Sequence, residues 1–340
     1  MNVSIISFTN KGQKLAGRIA KCLREADYEA TAYHKKPVYE WTEKQFIKKN
    51  AIIFVGATGI AVRAIAPWVK DKLTDPPVLV VDELGHYVIP ILSGHIGGAN
   101  ELAKEVSQMI NATPVITTAT DINMKFAIDV FAKKNNFVIA NREGIAAVSS
   151  KQLSGEVITL YASKKHLDKK RVPDGVVYID NPEMADVIIA PDHEIKESNA
   201  LLLLRPRIYV IGIGCKKGKS YEDIDYFIRN NLKSAGIDIS SVCAITSIDV
   251  KEHEKGLVDF AHANEIPFIT FDKNELAQTE GEFDSSEFVL QNVGVDNVCE
   301  RAAIHGAGEG AYLLQHKIAY EGMTMAIGVR DWHAVFYNGD

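Results

Sequence analysis

The chain has 340 residues, 46% of them hydrophobic and 24% charged, which fits a globular protein of two or three domains with a large buried core. Its net charge of -6 and pI near 6.0 exclude bulk binding to nucleic acid or to an anionic membrane, because either needs a dominant basic face. Any anionic ligand must be met locally.

The opening MNVSIISFTNKGQ lacks the basic flank, long apolar stretch and cleavage site of a signal peptide and reads as a first strand, so a cytoplasmic protein is expected. A helix follows over Gly12 to Ala26, with Leu15, Ile19, Ala20 and Leu23 at helical spacing. The apolar run AIIFVGATGIAVRAIAPWV is broken by Gly56, Thr58, Gly59, Arg63 and Pro67, so it predicts strand, loop and helix rather than a membrane span. Further strands are expected at PVLVVD, YVIPILS, PVITTAT, FVIA, GEVITLY and DVIIAP. A second start appears at LLLLRPRIYVIGIG, where Pro206 has no amide hydrogen to continue a ladder, which places a boundary near Leu204. A weaker boundary falls near Lys125, where the text turns polar, giving segments 1–125, 126–204 and 205–340.

The last segment predicts strand RIYVIGIG, helix Tyr221 to Ser234 behind a candidate Ser220/Asp223 capping box, strand VCAITSID, a helix around Glu254 to Ala263 and strand PFITF. Strand FVLQNVG, helix Asn297 to Ala307 and strand MTMAIGV complete it, with Val298, Ala302 and Ala303 facing the core and Glu300 and His305 on the surface. The fold class is α/β: two or three compact domains with mainly parallel sheets and a ligand cleft at the carboxyl ends of the strands. Cys22, Cys215, Cys243 and Cys299 are widely spaced with no C-x-x-C pair, so neither a zinc site nor a disulfide framework is expected.

VIGIGCKKGKS runs strand into glycines, lysines and helix, yet its spacing fits neither a Walker A loop nor a dinucleotide fingerprint. Two readings stand: a generic anion site using Lys216, Lys217 and Lys219, or a tight turn with solvated lysines. VGATGIAVR offers Thr58 and Arg63 as donors to carboxylates beside the permissive Gly59, with an ordinary strand-loop-helix turn as the alternative. In PILSGHIGGANELAKEV, Ile91 stands where a nucleophile elbow needs glycine, so Ser93 is not a serine-hydrolase nucleophile. His95 precedes Gly97 and Gly98 at the start of a helix, where it can act as acid or base near neutral pH or serve the loop structurally. Asp82 and Glu83 after VLVV, Asp121 after VITTAT, and Thr246 and Asp249 in TSIDV all fall where strands end, as crevice residues or helix caps.

The run ATGIAVRAIAPWVKDKLTDPPVLVVDELGHYVIPILSGHIGGANELA, followed by PVITTATD, closely resembles the cobalamin biosynthesis protein CbiG family. GIGCKKGKS, TSIDVKEHEKGL and VGVDNVCERAA resemble that family's third domain, also found as a separate protein of the aerobic pathway. The resemblance implies a cobalt-precorrin 5A hydrolase, which opens the ring A δ-lactone of a cobalt-corrinoid with water and releases acetaldehyde to give cobalt-precorrin 5B. It also implies that cobalt arrives with the substrate, so no cofactor or protein metal is required, and that neighbouring cobalamin-pathway enzymes are candidate partners. On this expectation His95 is the acid/base and Glu83 or Asp82 orients it. The amides near Gly97 and Gly98 hold the oxyanion, helped by Ser93 or Asn100. Thr58, Gly59, Arg63 and Asp121, with Lys216, Lys217, Thr246 and Asp249, bind substrate, and the last four are also an alternative site. Two rival readings are a nucleotide-dependent α/β enzyme and a non-catalytic tetrapyrrole carrier.

Overall fold

The computed structural model describes residues 1–71, 74–123, 125–162, 166–167, 172–283 and 297–336. The chain divides into two compact units, Met1–Val130 and Phe131–Asp340.

In the first unit, β1 (Asn2–Ser7), β2 (Glu29–His34), β3 (Ala51–Val55), β4 (Val78–Val81), β5 (Tyr87–Leu92) and β6 (Thr113–Pro114) form one sheet in the order β2-β1-β3-β4-β5-β6. Helix α1 (Asn10–Glu25) starts at Thr9, whose hydroxyl accepts from the Gly12 amide at 3.0 Å. Its apolar stripe Ala16, Ile19, Ala20 and Leu23 packs with Leu102, Ala103 and Val106 of α4 (Ala99–Ile110) against Ile5, Ile53 and Leu79 on one face of the sheet. The alternate strand residues Ile6, Ile52, Phe54 and Val80 point the other way, onto Trp41 of α2 (Val38–Ile47) and Ala61, Ala64 and Ile65 of α3 (Thr58–Ile65). Both faces are therefore covered, which is why the strands read as continuous β-branched runs. Each fully buried Ile or Leu contributes roughly 1.5–3 kcal/mol.

Strand direction departs from a uniformly parallel sheet at one place. β4 and β5 form an antiparallel hairpin, with Val81 opposite Val88 and Val78 opposite Leu92, and β6 runs parallel to β5. The loops after β5 and β6 thus lie at the opposite end of the sheet from those after β1, β3 and β4. Of the expected strand PVITTAT only Pro114 lies in β6; the chain then enters α5 (Ala119–Ile122) and α6 (Ile128–Lys134).

The second unit carries two sheets. β7 (Phe137–Ile139), β8 (Ile158–Ala162), β9 (Val176–Tyr178), β10 (Val187–Ile189) and β11 (Leu202–Pro206), with α7 (Glu143–Leu153), form one in the order β7-β11-β10-β8-β9. Its strands are parallel except β7, which is antiparallel to β11. After Pro206 the chain enters the other sheet, built from β12 (Tyr209–Cys215), β13 (Val242–Ile248), β14 (Phe268–Phe271), β15 (Tyr312–Tyr320) and β16 (Met323–Val329) in the order β14-β13-β12-β16-β15. β12, β13 and β14 are parallel, and β16 and β15 complete the sheet antiparallel.

Helices α8 (Tyr221–Ala235), α9 (Lys255–Ala263), α10 (Lys273–Gln278) and α11 (Val298–Ala307) accompany this last sheet. Ser220 caps α8 by accepting from the Asp223 amide at 3.1 Å, and Ile224, Phe227, Ile228 and Leu232 are its buried face. The glycines of VIGIG serve packing here: a Cβ at Gly212 would lie 1.8 Å from the Cys299 carbonyl oxygen of α11. The expected strand FVLQNVG lies outside the described residues. No described helix is long and apolar enough to cross a membrane.

Candidate functional site

His95 follows β5 and is held between two carboxylates. Its Nε2 lies 2.7 Å from Asp121 Oδ2 and its Nδ1 3.4 Å from Asp129 Oδ2, with the Thr120 hydroxyl 2.9 Å from Nε2. Asp121 is fixed in turn by the Asn100 amide at 2.9 Å and the Lys104 ammonium at 3.6 Å. The Asp129 hydrogen bond is the largest cause raising the His95 pKa above its usual 6.5; burial opposes it and Asp121 adds to it. Asp121 makes the shorter contact but shares its charge with Lys104, whereas Asp129 is more buried, its side chain 12% exposed against 24%. The two carboxylates thus favour the imidazolium form of His95. It can give a proton, and it becomes a base only after doing so.

The hairpin explains a correction. Asp82 and Glu83 do not orient His95, because they lie past β4, at the other end of the sheet. Asp82 instead accepts from the Leu84 and Tyr87 amides at 2.9 and 2.6 Å, and Glu83 accepts from the Thr9 hydroxyl. Nor does the Gly98 amide serve an oxyanion: it donates to the His95 carbonyl at 2.8 Å, while the Ala99 and Asn100 amides donate to Ser93 and Gly94. Gly97 is a packing position, since a Cβ there would fall 2.2 Å from the Ser93 Cβ. Ser93, buried in the left-handed conformation at φ 56°, donates its hydroxyl to the Asp75 carbonyl at 2.8 Å. Of the residues expected beside His95, the fold brings Asn100 and Asp121 to it. Thr120 and Asp129 join them unannounced, although Asp129 is a lone acid among Phe126, Ile128 and Phe131, a pattern that marks a buried polar group.

Thr58, Gly59 and Arg63 sit on the exposed side of α3, with the Arg63 guanidinium over Gly59. A 410 Å³ cleft after β1, β3 and β4 is lined by Thr9, Gly56, Ile60, Asp82 and Glu83, and two acids make it a poor host for carboxylates.

A second cavity, of 650 Å³, opens at the carboxyl ends of β12 and β13. Lys216, Lys217, Lys251 and Lys317 line it together with apolar Ile248, Val250 and Val298. Thr246 and Asp249 do not line it. Thr246 is buried and donates to the Ala302 carbonyl at 2.9 Å, and Asp249 accepts from the Val250 amide at 2.7 Å. GIGCKKGKS is no phosphate nest either: the Lys216 amide donates to the Gly322 carbonyl and the Gly218 amide to Glu254 at 2.7 Å. Glu300, expected on the surface, is fully buried beneath α11's first turn, accepting from Asn297 Nδ2 at 2.8 Å and the Lys317 amide at 2.6 Å. Burial pushes the Cys299 thiol up to about 11, so it lines the cavity as a neutral group.

Residues 40–121 match the family model Cobalamin synthesis G N-terminal, and residues 209–328 match Cobalamin synthesis G C-terminus. The chain is 32% identical to the cobalt-precorrin-5A hydrolase of Salmonella typhimurium across 96% of its own length and 97% of that protein's. The chain belongs to the CbiG family. The cobalt-precorrin-5A hydrolase of Priestia megaterium is 30% identical, covering 90% of this chain and 89% of that one. Protein CobE of a Sinorhizobium species is 28% identical over 35% of this chain and 77% of its own. The CbiG spans hold His95, Asn100 and Asp121 in the first unit and all four cavity lysines in the second, while Asp129 falls just beyond the first span.

Proposed function

We propose that this protein is a cobalt-precorrin 5A hydrolase of anaerobic cobalamin biosynthesis. Water adds to the carbonyl carbon of the ring A δ-lactone, and the acyl carbon-oxygen bond breaks. The freed alcohol then loses its proton, the bond from its carbon to the ring breaks, and acetaldehyde leaves. The electron pair enters the conjugated macrocycle, which takes up a proton and becomes cobalt-precorrin 5B. Cobalt is part of the substrate in this reading, and no resident cofactor takes part.

Whole-length similarity to proteins of that name selects the substrate, and one geometric observation supports the chemistry: the His95 ring held between the carboxylates of Asp121 and Asp129, which favour its protonated form. His95 protonates the departing alkoxide, and the resulting neutral ring takes the alcohol proton in the next step, so one residue serves as acid and then as base. The Nδ1 contact to Asp129, at 3.4 Å, is the looser of the two and is the one that yields to a substrate oxygen.

The test is anaerobic incubation with authenticated cobalt-precorrin 5A, trapping acetaldehyde with alcohol dehydrogenase and NADH, beside a folded His95→Gln variant. Wild-type release that falls by about 10²-fold or more in the variant supports both statements. Equal release from the two removes His95 from the chemistry. A corrinoid bound stoichiometrically and recovered unchanged would establish the carrier reading instead.

A further inference from the structure

We infer that the cavity at the carboxyl ends of β12 and β13 is a binding site for a polycarboxylated ring, and that Lys216, Lys217, Lys251 and Lys317 seat its acid side chains. The assignment rests on the hydrolase reading only for the name of the physiological ligand. The chemical class comes from the cavity. At 650 Å³ it is large enough for an edge of a macrocycle, and its wall combines Ile248, Val250 and Val298 with four lysine side chains. An apolar wall rimmed by separate positive charges matches a flat apolar body that carries acids around its periphery.

The charges are available. Among the described residues Lys216, Lys217 and Lys317 make no ion pair, while Lys251 is held by Glu254 at 3.0 Å. Gathering unpaired ammonium groups around one cavity in a chain of net charge -6 opposes their mutual repulsion and is relieved when anions enter. A single phosphate is a poorer fit. The Lys216 and Gly218 amides that would cradle one are already donated within the protein. Lysines are point charges on flexible stems, suited to several carboxylates at different places on a ring. Glu300 adds a positioning element: it accepts from the backbone amide of Lys317 and from the side chain of Asn297, so two lining residues share one buried anchor.

The experiment is a fluorescence titration of the full chain with uroporphyrin, which carries two acids on every pyrrole ring, and with coproporphyrin, which carries fewer. Lys216→Ala, Lys217→Ala, Lys251→Ala and Lys317→Ala are compared with Lys14→Ala on α1, each checked for an unchanged melting temperature. Tighter binding of uroporphyrin, weakened about three- to tenfold by each cavity variant and by added salt but not by Lys14→Ala, is the expected result. Equal affinity across the cavity variants, or no preference for the more acidic ring, overturns the assignment. The acetaldehyde assay on the same variants separates this failure from that of the hydrolase reading. Wild-type turnover with KM unchanged in every lysine variant overturns the cavity and leaves the hydrolase standing. Lysine-dependent porphyrin binding without acetaldehyde release supports the cavity and overturns the hydrolase.

Discussion

Glu300 is the buried group on which the floor of the lysine cavity depends most directly. It is fully inaccessible, and its carboxylate accepts from Asn297 Nδ2 at 2.8 Å, from the Lys317 amide at 2.6 Å and from His316 Nδ1 at 3.3 Å. Glu300→Ala removes the carboxylate acceptor that the Asn297 side chain and the Lys317 amide both use. At about 1–3 kcal/mol for each, the expected loss is about 2–6 kcal/mol. Glu300→Gln keeps the shape and one carbonyl oxygen, but whichever way the amide turns, its NH2 faces either Asn297 Nδ2 or the Lys317 amide. One donor is then lost rather than two, and the expected cost is about 1–3 kcal/mol. Urea unfolding followed by circular dichroism reads both as shifts in midpoint at constant slope. Equal costs for Ala and Gln would mean that charge, not acceptor count, is what the site needs. A cost below about 1 kcal/mol for Ala would refute the reasoning altogether.

Three further outcomes follow from the same kind of reading. Because the pKa of His95 is raised, its ion pairs stabilise the first unit fully below pH 6.5, and that contribution is lost as pH rises through the folded-state value. The melting-temperature gap between wild type and His95→Gln should thus be widest at acidic pH and shrink in alkali; a gap that widens instead would contradict a raised pKa. Arg205 is 4% exposed, donates to the carbonyls of Ala190, Pro191 and Lys196, and faces Asp192 at 3.7 Å, so Arg205→Met should cost about 3–5 kcal/mol in urea unfolding. Gly212→Ala should prevent α11 from seating, since its Cβ meets the Cys299 carbonyl at 1.8 Å, whereas Gly17→Ala on the open face of α1 should stabilise by about 0.5–1 kcal/mol. Native yield and urea midpoint check the pair.

Much of the scaffold was legible because both sheet faces are buried and the strands carry that in their composition. Helix α1 was legible from spacing alone. The β4–β5 hairpin was not, since VLVV and YVIPIL look the same whether paired parallel or antiparallel and the connection between them is short in either case. That one reversal moved Asp82 and Glu83 away from His95. Asp129 was missed because its partner lies 34 positions earlier in the chain, and only the folded turn after α5 brings them together. Glu300 reads as a surface acid because a glutamate on a helix is rarely fully buried. What buries it is the approach of β15, a contact no local pattern encodes.

The glycine loops share a lesson about anion sites. Each precedes a helix, and each looks like a cradle whose amides await a ligand. In the fold those amides are taken: Gly56 donates to Val81, Gly98 to His95, Lys216 to Gly322 and Gly218 to Glu254. A donor already paired within the protein must give up one hydrogen bond to make another, so it adds little net affinity for an anion. Ammonium groups without an ion pair have no such bond to lose. Recognition of a multiply charged ring therefore falls to side-chain charge placed around an apolar wall, and the glycines matter by letting α11 press close enough to β12 to form that wall. This predicts an affinity that is salt-sensitive and graded by the number of acids on the ligand, unlike the all-or-none behaviour of a backbone nest.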